Sequence, residues 1–420
     1  MPSDEGPSDE GPSDKRPGDT GPGGDGREAG AELARVVREH AGRLAGALVR
    51  VLGDFSLAED VVQDAVCVAL ERWPVEGVPD RPDAWLFTVA RRRGLDVLRR
   101  QARYRDKLAA LRWTPPHRPD DRLRLIFTCC HPALPRAAQV ALTLRVVCGL
   151  TTAQIAAAFL VPEATVGQRI TRAKRKISDA GIPYRIPSDA EMPERLAEVL
   201  TVVYLMFNEG YLSSTPDQER HLADDAEWLA ALLAWLVPAD PEVTGLLALI
   251  RLHQARADAR FDDAGRLVLL RDQDRSRWDH AAIADATALL ARAARRGEPG
   301  RYQLQAAIVA CHADAPTWED TDWHQIVVLY DMLLRLAPSP VTRLHRAVAL
   351  HRHAGPSAGL AELDALSGAL DGHHLYHATL AELQRDLGRP GEARASDERA
   401  LRLTTNRAQQ ALLEQRLTWA

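Results

Sequence analysis

Long apolar runs are missing from this 420-residue chain. No window of 18 or more uninterrupted apolar residues occurs, so no membrane span is expected. The basic-then-apolar start of a secretory signal is missing too, and a cytoplasmic location is expected. Cysteine is scarce: Cys67, Cys129, Cys130, Cys148 and Cys311 are odd in number and scattered, which argues against a disulfide framework and for a reducing compartment. Cys129, Cys130 and His131 invite a metal reading. However, adjacent cysteines are awkward donors for one tetrahedral ion and no second CxxC-like pair exists, so packing is expected and metal is not. Phosphate-cradling glycine loops, the dinucleotide glycine pattern and the nucleophile elbow are all absent, which leaves no catalytic residue, no cofactor and no enzymatic role expected. Alternating β-branched runs are few, so an all-α protein is expected.

Charge is unevenly spread. Residues 1–30 carry eight acidic and three basic side chains, which accounts for the whole net charge of −5. That segment repeats PSDEG, PSDEG, PSDKR, is rich in Gly and Pro and nearly devoid of apolar side chains. It cannot bury enough surface to offset its ordering entropy and is expected to be a disordered acidic tail. Further on, Arg91, Arg92, Arg93, Arg99, Arg100, Arg103, Arg105 and Lys107 stand against only Asp96 and Asp106. Such a local field, rather than the total charge, governs affinity for a polyanion.

The most informative stretch is Leu150–Ile177, LTTAQIAAAFLVPEATVGQRITRAKRKI. It reads as two short helices joined by a tight turn, with Thr151 or Thr152 able to cap the first and Pro162 suited to the first turn of the second. Val166, Ile170, Ala173 and Ile177 form one apolar stripe. Thr165, Gln168, Arg169, Arg172 and Lys176 fall on the other side, with Arg175 in the same basic run. One face packs and the other offers donors, as in a helix-turn-helix whose second helix enters a major groove. An amphipathic surface helix with solvated charges gives a similar pattern.

Around this motif the chain divides in composition. Residues 31–107 are helical in pattern, with a break expected at Pro74–Pro82 and a basic helix over Trp85–Lys107. Pro-containing joints are expected at 108–120 and 181–190, on either side of a second helical module at 121–180. Residues 191–420 are a succession of helical patterns with short breaks. His377–Leu403 has the small-and-large alternation of a tetratricopeptide-type hairpin turning at Gly388–Arg389, and Ile326–Leu350 is a looser version turning at Pro338 and Pro340. An α-solenoid-like domain is expected. Within the first module, AEDVVQD puts Glu59, Asp60, Gln63 and Asp64 on a polar flank, and WLFTVARRRGLDVLRR turns Arg91, Arg92, Asp96, Arg99 and Arg100 outward while Leu86, Val89 and Val97 pack.

The two modules, in this order, resemble regions 2 and 4 of bacterial sigma-70 factors of the extracytoplasmic-function group. YLMFNEGY, DQDRSRWD and LAPSP in the remainder are similar to the tetratricopeptide-like extension of one subgroup. The resemblance implies that Glu59, Asp60, Gln63 and Asp64 dock on the β′ clamp helices of core RNA polymerase. It implies that Arg91, Arg92, Asp96, Arg99 and Arg100 serve the −10 element, with an unstacked base meeting the Trp73–Asp83 loop. The recognition-helix residues Thr165, Gln168, Arg169, Arg172, Arg175 and Lys176 would then read the −35 element. One departure is the Phe159-Leu160-Val161-Pro162 turn, which lacks the glycine common there.

Other readings stay open. A helix-turn-helix regulator controlled by a sensing domain would never join polymerase, but it has no use for the basic strand-opening helix. A repeat scaffold is a third. Trp85, beside Leu86 and Val89, is expected in the core, and His373, His374 and His377 on the surface. Asp272–Asp279 is either a charged loop anchored by Trp278 or a contact surface in which Asp272, Asp274 and Arg275 meet polymerase or a protein regulator. The extension either shields the basic helices or supports them.

Overall fold

The computed structural model describes residues 24–100, 120–159, 161–213, 222–404 and 406–419. Every regular element among them is helical, apart from one isolated antiparallel bridge between Phe261 and Leu267. The chain forms two compact units, residues 1–116 and 117–420.

In the first unit three helices pack pairwise, α1 (Gly24–Leu52), α2 (Phe55–Glu76) and α3 (Pro82–Arg100). Leu44, Leu48 and Leu52 of α1, Val61, Val62, Ala65 and Ala69 of α2, and Leu86, Phe87 and Ala90 of α3 are all buried. Their three- and four-residue spacing gives each helix one apolar face. α1 stops where Gly53 takes φ +70°, and Asp54 restarts the chain by accepting from the Leu57 N–H at 2.9 Å. At Gly94 a β-carbon would lie 2.7 Å from Leu52 Cδ1, so α3 passes α1 at a distance that only glycine allows without a shift. α1 begins at Gly24, inside the stretch expected as an acidic tail, because Arg27, Glu28, Ala29 and Ala31 propagate helix. The rest of that tail lies outside the described residues, as does most of the expected 108–120 joint.

The break expected at Pro74 comes later. Pro74 sits inside the last turn of α2, and the helix ends at Gly77, whose N–H donates to the Trp73 carbonyl at 3.0 Å. Proline removes one hydrogen bond to the preceding turn. That turn carries the exposed Leu70, so solvent can satisfy the freed carbonyl.

The second unit opens with α4 (Asp120–Cys129), α5 (Arg136–Val146), α6 (Thr152–Ala158) and α7 (Glu163–Asp179). It continues through α8 (Met192–Ser213), α9 (Leu222–Leu236) and α10 (Pro241–Gln254), and, after irregular chain, α11 (His280–Ala294) and α12 (Arg301–Asp314). α13 (Trp323–Leu336), α14 (Pro340–Ala354), α15 (Pro356–Asp364), the short α16 (Ser367–Leu370), α17 (His374–Asp386), α18 (Pro390–Leu403) and α19 (Arg407–Trp419) complete it. Most helices from α8 onward pack on their neighbours in sequence, as a stacked helical array does. The α13–α14 turn is capped by Ser339, and the α17–α18 turn uses Gly388 at φ +72°, both at the positions expected. Leu383, Ala393 and Ala400 fill the seam of the last hairpin.

α8 packs against α4 and α5 as well as α9. Arg195 donates to the Phe127 carbonyl at 2.6 Å, and Arg136 pairs with Glu198 at 2.5 Å. The segment 181–190 is held at several points: Ile182 N–H reaches the Ile177 carbonyl, the Tyr184 hydroxyl donates to the Asp121 carbonyl, and Arg185 pairs with Glu191.

Candidate nucleic-acid interface

α7 starts from a well-built entrance. Thr151 Oγ1 accepts from the Gln154 N–H at 3.1 Å, and the Gln154 side chain accepts from the Thr151 N–H at 2.9 Å. This reciprocal box satisfies two N–H groups at the start of α6. The chain then turns, with Val161 N–H on the Ala156 carbonyl, and enters α7 through Pro162, which stands one residue before the first helical position. The turn closes without glycine; Leu160 itself lies outside the described residues. Val166, Ile170, Ala173 and Ile177 are all buried, and α5 and α6 receive them.

The opposite side divides more finely than its pattern suggests. Gln168, Arg172 and Lys176 are exposed, as is Arg175, which pairs with Asp179 at 3.2 Å one turn away. An exposed pair of this kind is worth about 0–1 kcal/mol, so Arg175 can exchange it for a phosphate. Thr165 is half-buried in the first turn. Arg169 departs from expectation. It is half-buried and lines a cavity of about 320 Å³ together with Leu205 and Glu209 of α8. Burial raises the Glu209 carboxyl above its ordinary range. Arg169 therefore stands at the rim, between the exposed face of α7 and the helix behind it.

In the first unit, α3 carries Arg92 and Arg93 to solvent and leaves Arg91 and Asp96 half-buried. Arg93 pairs with Asp64 at 2.9 Å, linking α3 to α2. Arg99 and Arg100 close α3, and their side chains lie outside the described residues. Of the acidic flank, Asp60 and Asp64 are exposed and Gln63 half-buried. Glu59 does not belong to it: at 4 % exposure it is buried, because it falls three residues before Val62 on the stripe that faces the core. Trp85 meets Trp73 edge-to-face at 5.7 Å, and Trp73 is buried, so neither indole is free in the loop between them. The exposed apolar groups nearby are Val75, at 84 % in the last turn of α2, and Val78 in the loop, which proline-and-glycine content concealed in the sequence.

The Asp272–Asp279 segment is built inward. Trp278 is only 3 % exposed, and Arg275 lies 4.5 Å from its ring centre. Arg275 also donates to the carbonyls of His312 and Ala315 at 2.5 and 2.6 Å. Asp274 caps the local turn by accepting from the Ser276 N–H and hydroxyl, which leaves Asp272 exposed beside Arg271. Of the two readings left open for this segment, the geometry of Arg275 fits the loop anchored by Trp278: desolvated between carbonyls and an indole, it staples the loop to α12. Cys129 and Cys130 are buried, with Cys130 Sγ 3.5 Å from Thr143 Oγ1 and its thiol pushed up to about 12 by burial. His377, expected at the surface, is buried and donates to the Asp371 carbonyl at 2.7 Å, whereas His373 and His374 are half-buried and stacked on each other.

Comparison with known proteins agrees with this geometry. Residues 36–104 match the family described as Sigma-70 region 2, residues 124–177 match Sigma-70, region 4, and residues 195–294 match a family of unknown function, DUF6596. The chain is 34 % identical over 147 residues to the ECF RNA polymerase sigma factor SigL of Mycobacterium tuberculosis strain H37Rv, covering 33 % of this chain and 82 % of that protein. It is also 45 % identical over 388 residues to an uncharacterized protein, R00370, of Rhizobium meliloti strain 1021, covering 89 % of this chain and 92 % of that one. No solved structure matches. The chain belongs to the sigma-70 family, in its extracytoplasmic-function group, and carries a helical C-terminal extension.

Proposed function

We propose that the protein binds core RNA polymerase through its first unit and directs initiation at promoters whose −35 element is read by α7. The observation that carries this reading is the outer face of α7: Gln168, Arg172 and Lys176 stand in solvent above a fully buried apolar stripe, in the same chain as the basic helix α3. Gln168 and Arg172 supply base-edge or phosphate contacts; Thr165, Arg175 and Lys176 supply positioning, and Arg169 flanks the face from the rim. Arg91, Arg92, Arg99 and Arg100 hold the −10 strand, with Asp96 among them, while Val75 and Val78 offer an apolar seat for an unstacked base. Asp60 and Asp64, with Gln63, form the polymerase-facing flank.

The extension supports region 4 rather than masking it. What supports this reading is that α8 packs on α4 and α5 while Gln168, Arg172 and Lys176 remain exposed. Removing everything after Pro187 would strip that packing, so disruption of Arg136 and Arg195 is the cleaner test of support. The decisive experiment is co-purification with core polymerase followed by run-off transcription. Retention of core by Asp60→Lys/Asp64→Lys at wild-type level, or unchanged promoter choice by Arg172→Ala, would refute the assignment.

A further inference from the structure

We infer that the open cavity between residues 269–271 and helices α12, α13, α14 and α17 of the extension binds a small planar aromatic carboxylate. Its volume is about 270 Å³, just below the range of about 300–1,000 Å³ in which small ligands are held. Close-packed interiors contain few voids larger than a water molecule. This one is lined by aromatic rings that frame it without filling it. Trp318 and Trp323 meet edge-to-face at 4.7 Å, and the His312 ring lies nearly parallel to Trp318, at 8° and 5.8 Å. Tyr330 closes the wall from α13. A flat ring entering here regains the dispersion contacts that the gap forfeits and adds offset or edge-to-face stacking.

The charge of the wall selects the second half of the ligand. Among the lining residues two guanidiniums, Arg271 and Arg352, share the single carboxylate of Glu382. Arg352 also lies over Trp318, 5.8 Å from the ring centre, so stacking and ion pairing converge on one side chain. Behind the wall, Arg275 donates to the His312 carbonyl. Burial together with Arg256 and Arg275 holds the His312 imidazole neutral, its pKa lowered to about 3. Arg352 Nε and His312 Nδ1 are buried without a hydrogen-bond partner. Arg271 also pairs with Asp272 at 3.5 Å, so the charges of the wall balance; the donor left over is Arg352 Nε, and a carboxylate matches the guanidinium fork.

The test reads binding by full-length protein and is independent of promoter recognition, so its failure leaves the proposed function standing. Quinoline-2-carboxylate is the probe, titrated calorimetrically beside quinoline and cyclohexanecarboxylate. One-site saturation is expected for the aromatic acid, with each control at least about tenfold weaker, since each lacks one of the two recognised features. Arg352→Gln should weaken the acid by about tenfold while leaving quinoline unchanged. Val348→Phe, which fills the cavity from a half-buried rim position, should abolish saturation while the helical signal and Tm are kept. Absence of saturation in wild type, or affinity unchanged in Val348→Phe, overturns the inference. If Arg352→Gln does not fold, Val348→Phe decides alone.

Discussion

The arginines of α7 and those around Trp278 are the same residue put to opposite uses. Arg172 and Arg175 stand in solvent on a helix whose other face is fully packed. Arg256 and Arg260 are buried, and Arg275 is half-buried. The Arg260 guanidinium lies 3.5 Å from the Tyr211 ring centre, Arg256 lies 5.8 Å from that of Trp278, and burial lowers the pKa of all three. Exposed guanidiniums keep their hydration until a phosphate replaces it. The buried ones have already exchanged water for π faces and carbonyls, so they hold the fold and are unavailable to a polyanion.

Four measurements test that contrast. The largest effect is expected at Trp278→Ala, which removes a buried indole and the platform of two guanidiniums. Stability should fall by about 3–5 kcal/mol in denaturant unfolding. A loss under about 1 kcal/mol would mean that the loop is not anchored there. Next, Arg172→Ala should leave Tm unchanged but weaken promoter DNA binding by about 1–3 kcal/mol. Arg275→Ala should do the reverse, lowering stability by about 1–3 kcal/mol through unpaired carbonyls, with DNA affinity unchanged. If both variants shift the same observable, the division between reading and holding arginines fails.

Thr151→Ala comes third. It removes half of the box at the start of α6 and should cost about 1 kcal/mol, visible as a lower urea midpoint at unchanged slope.

The last effect is a slope, negligible near neutral pH and growing as the solution is acidified. His312 is held neutral in the fold, at about 3 against its ordinary 6.5. The unfolded chain therefore binds a proton that the folded one refuses in this window. Stability from this group is fully present above pH 6.5 and is lost as pH falls from 6.5 towards 3. His312→Phe keeps a ring between the tryptophans and should flatten Tm against pH across that interval. An unchanged acid slope would mean that the imidazole protonates freely.

Local pattern carried much of this molecule. The stripe Val166, Ile170, Ala173, Ile177 was legible because helical period and burial coincide within one element, and Thr151 because a cap needs only its own first turn. Gly388, and Pro338 with Pro340, announced their hairpins for the same reason. What escaped depends on partners distant in sequence. Glu59 looks like its neighbour Asp60 until packing buries one and not the other. Arg275 and Arg172 are indistinguishable as letters; desolvation by Trp278 and by the carbonyls of His312 and Ala315 is a tertiary fact. Helical period puts Arg169 on the outward side of α7, and nothing in α7 reveals that it also lines a cavity with Leu205 and Glu209 of α8. Pro74 misled in the other direction, since a break costs little where the exposed last turn lets water replace the lost hydrogen bond.

The packing of α8 on α4 and α5 has a consequence for descent. A recombination event that exchanged the promoter-reading helices alone would leave Phe127, Val140 and the Arg136 side chain without their counterparts. An exchange that carries α8 along keeps the Arg195–Phe127 and Arg136–Glu198 contacts and avoids that cost.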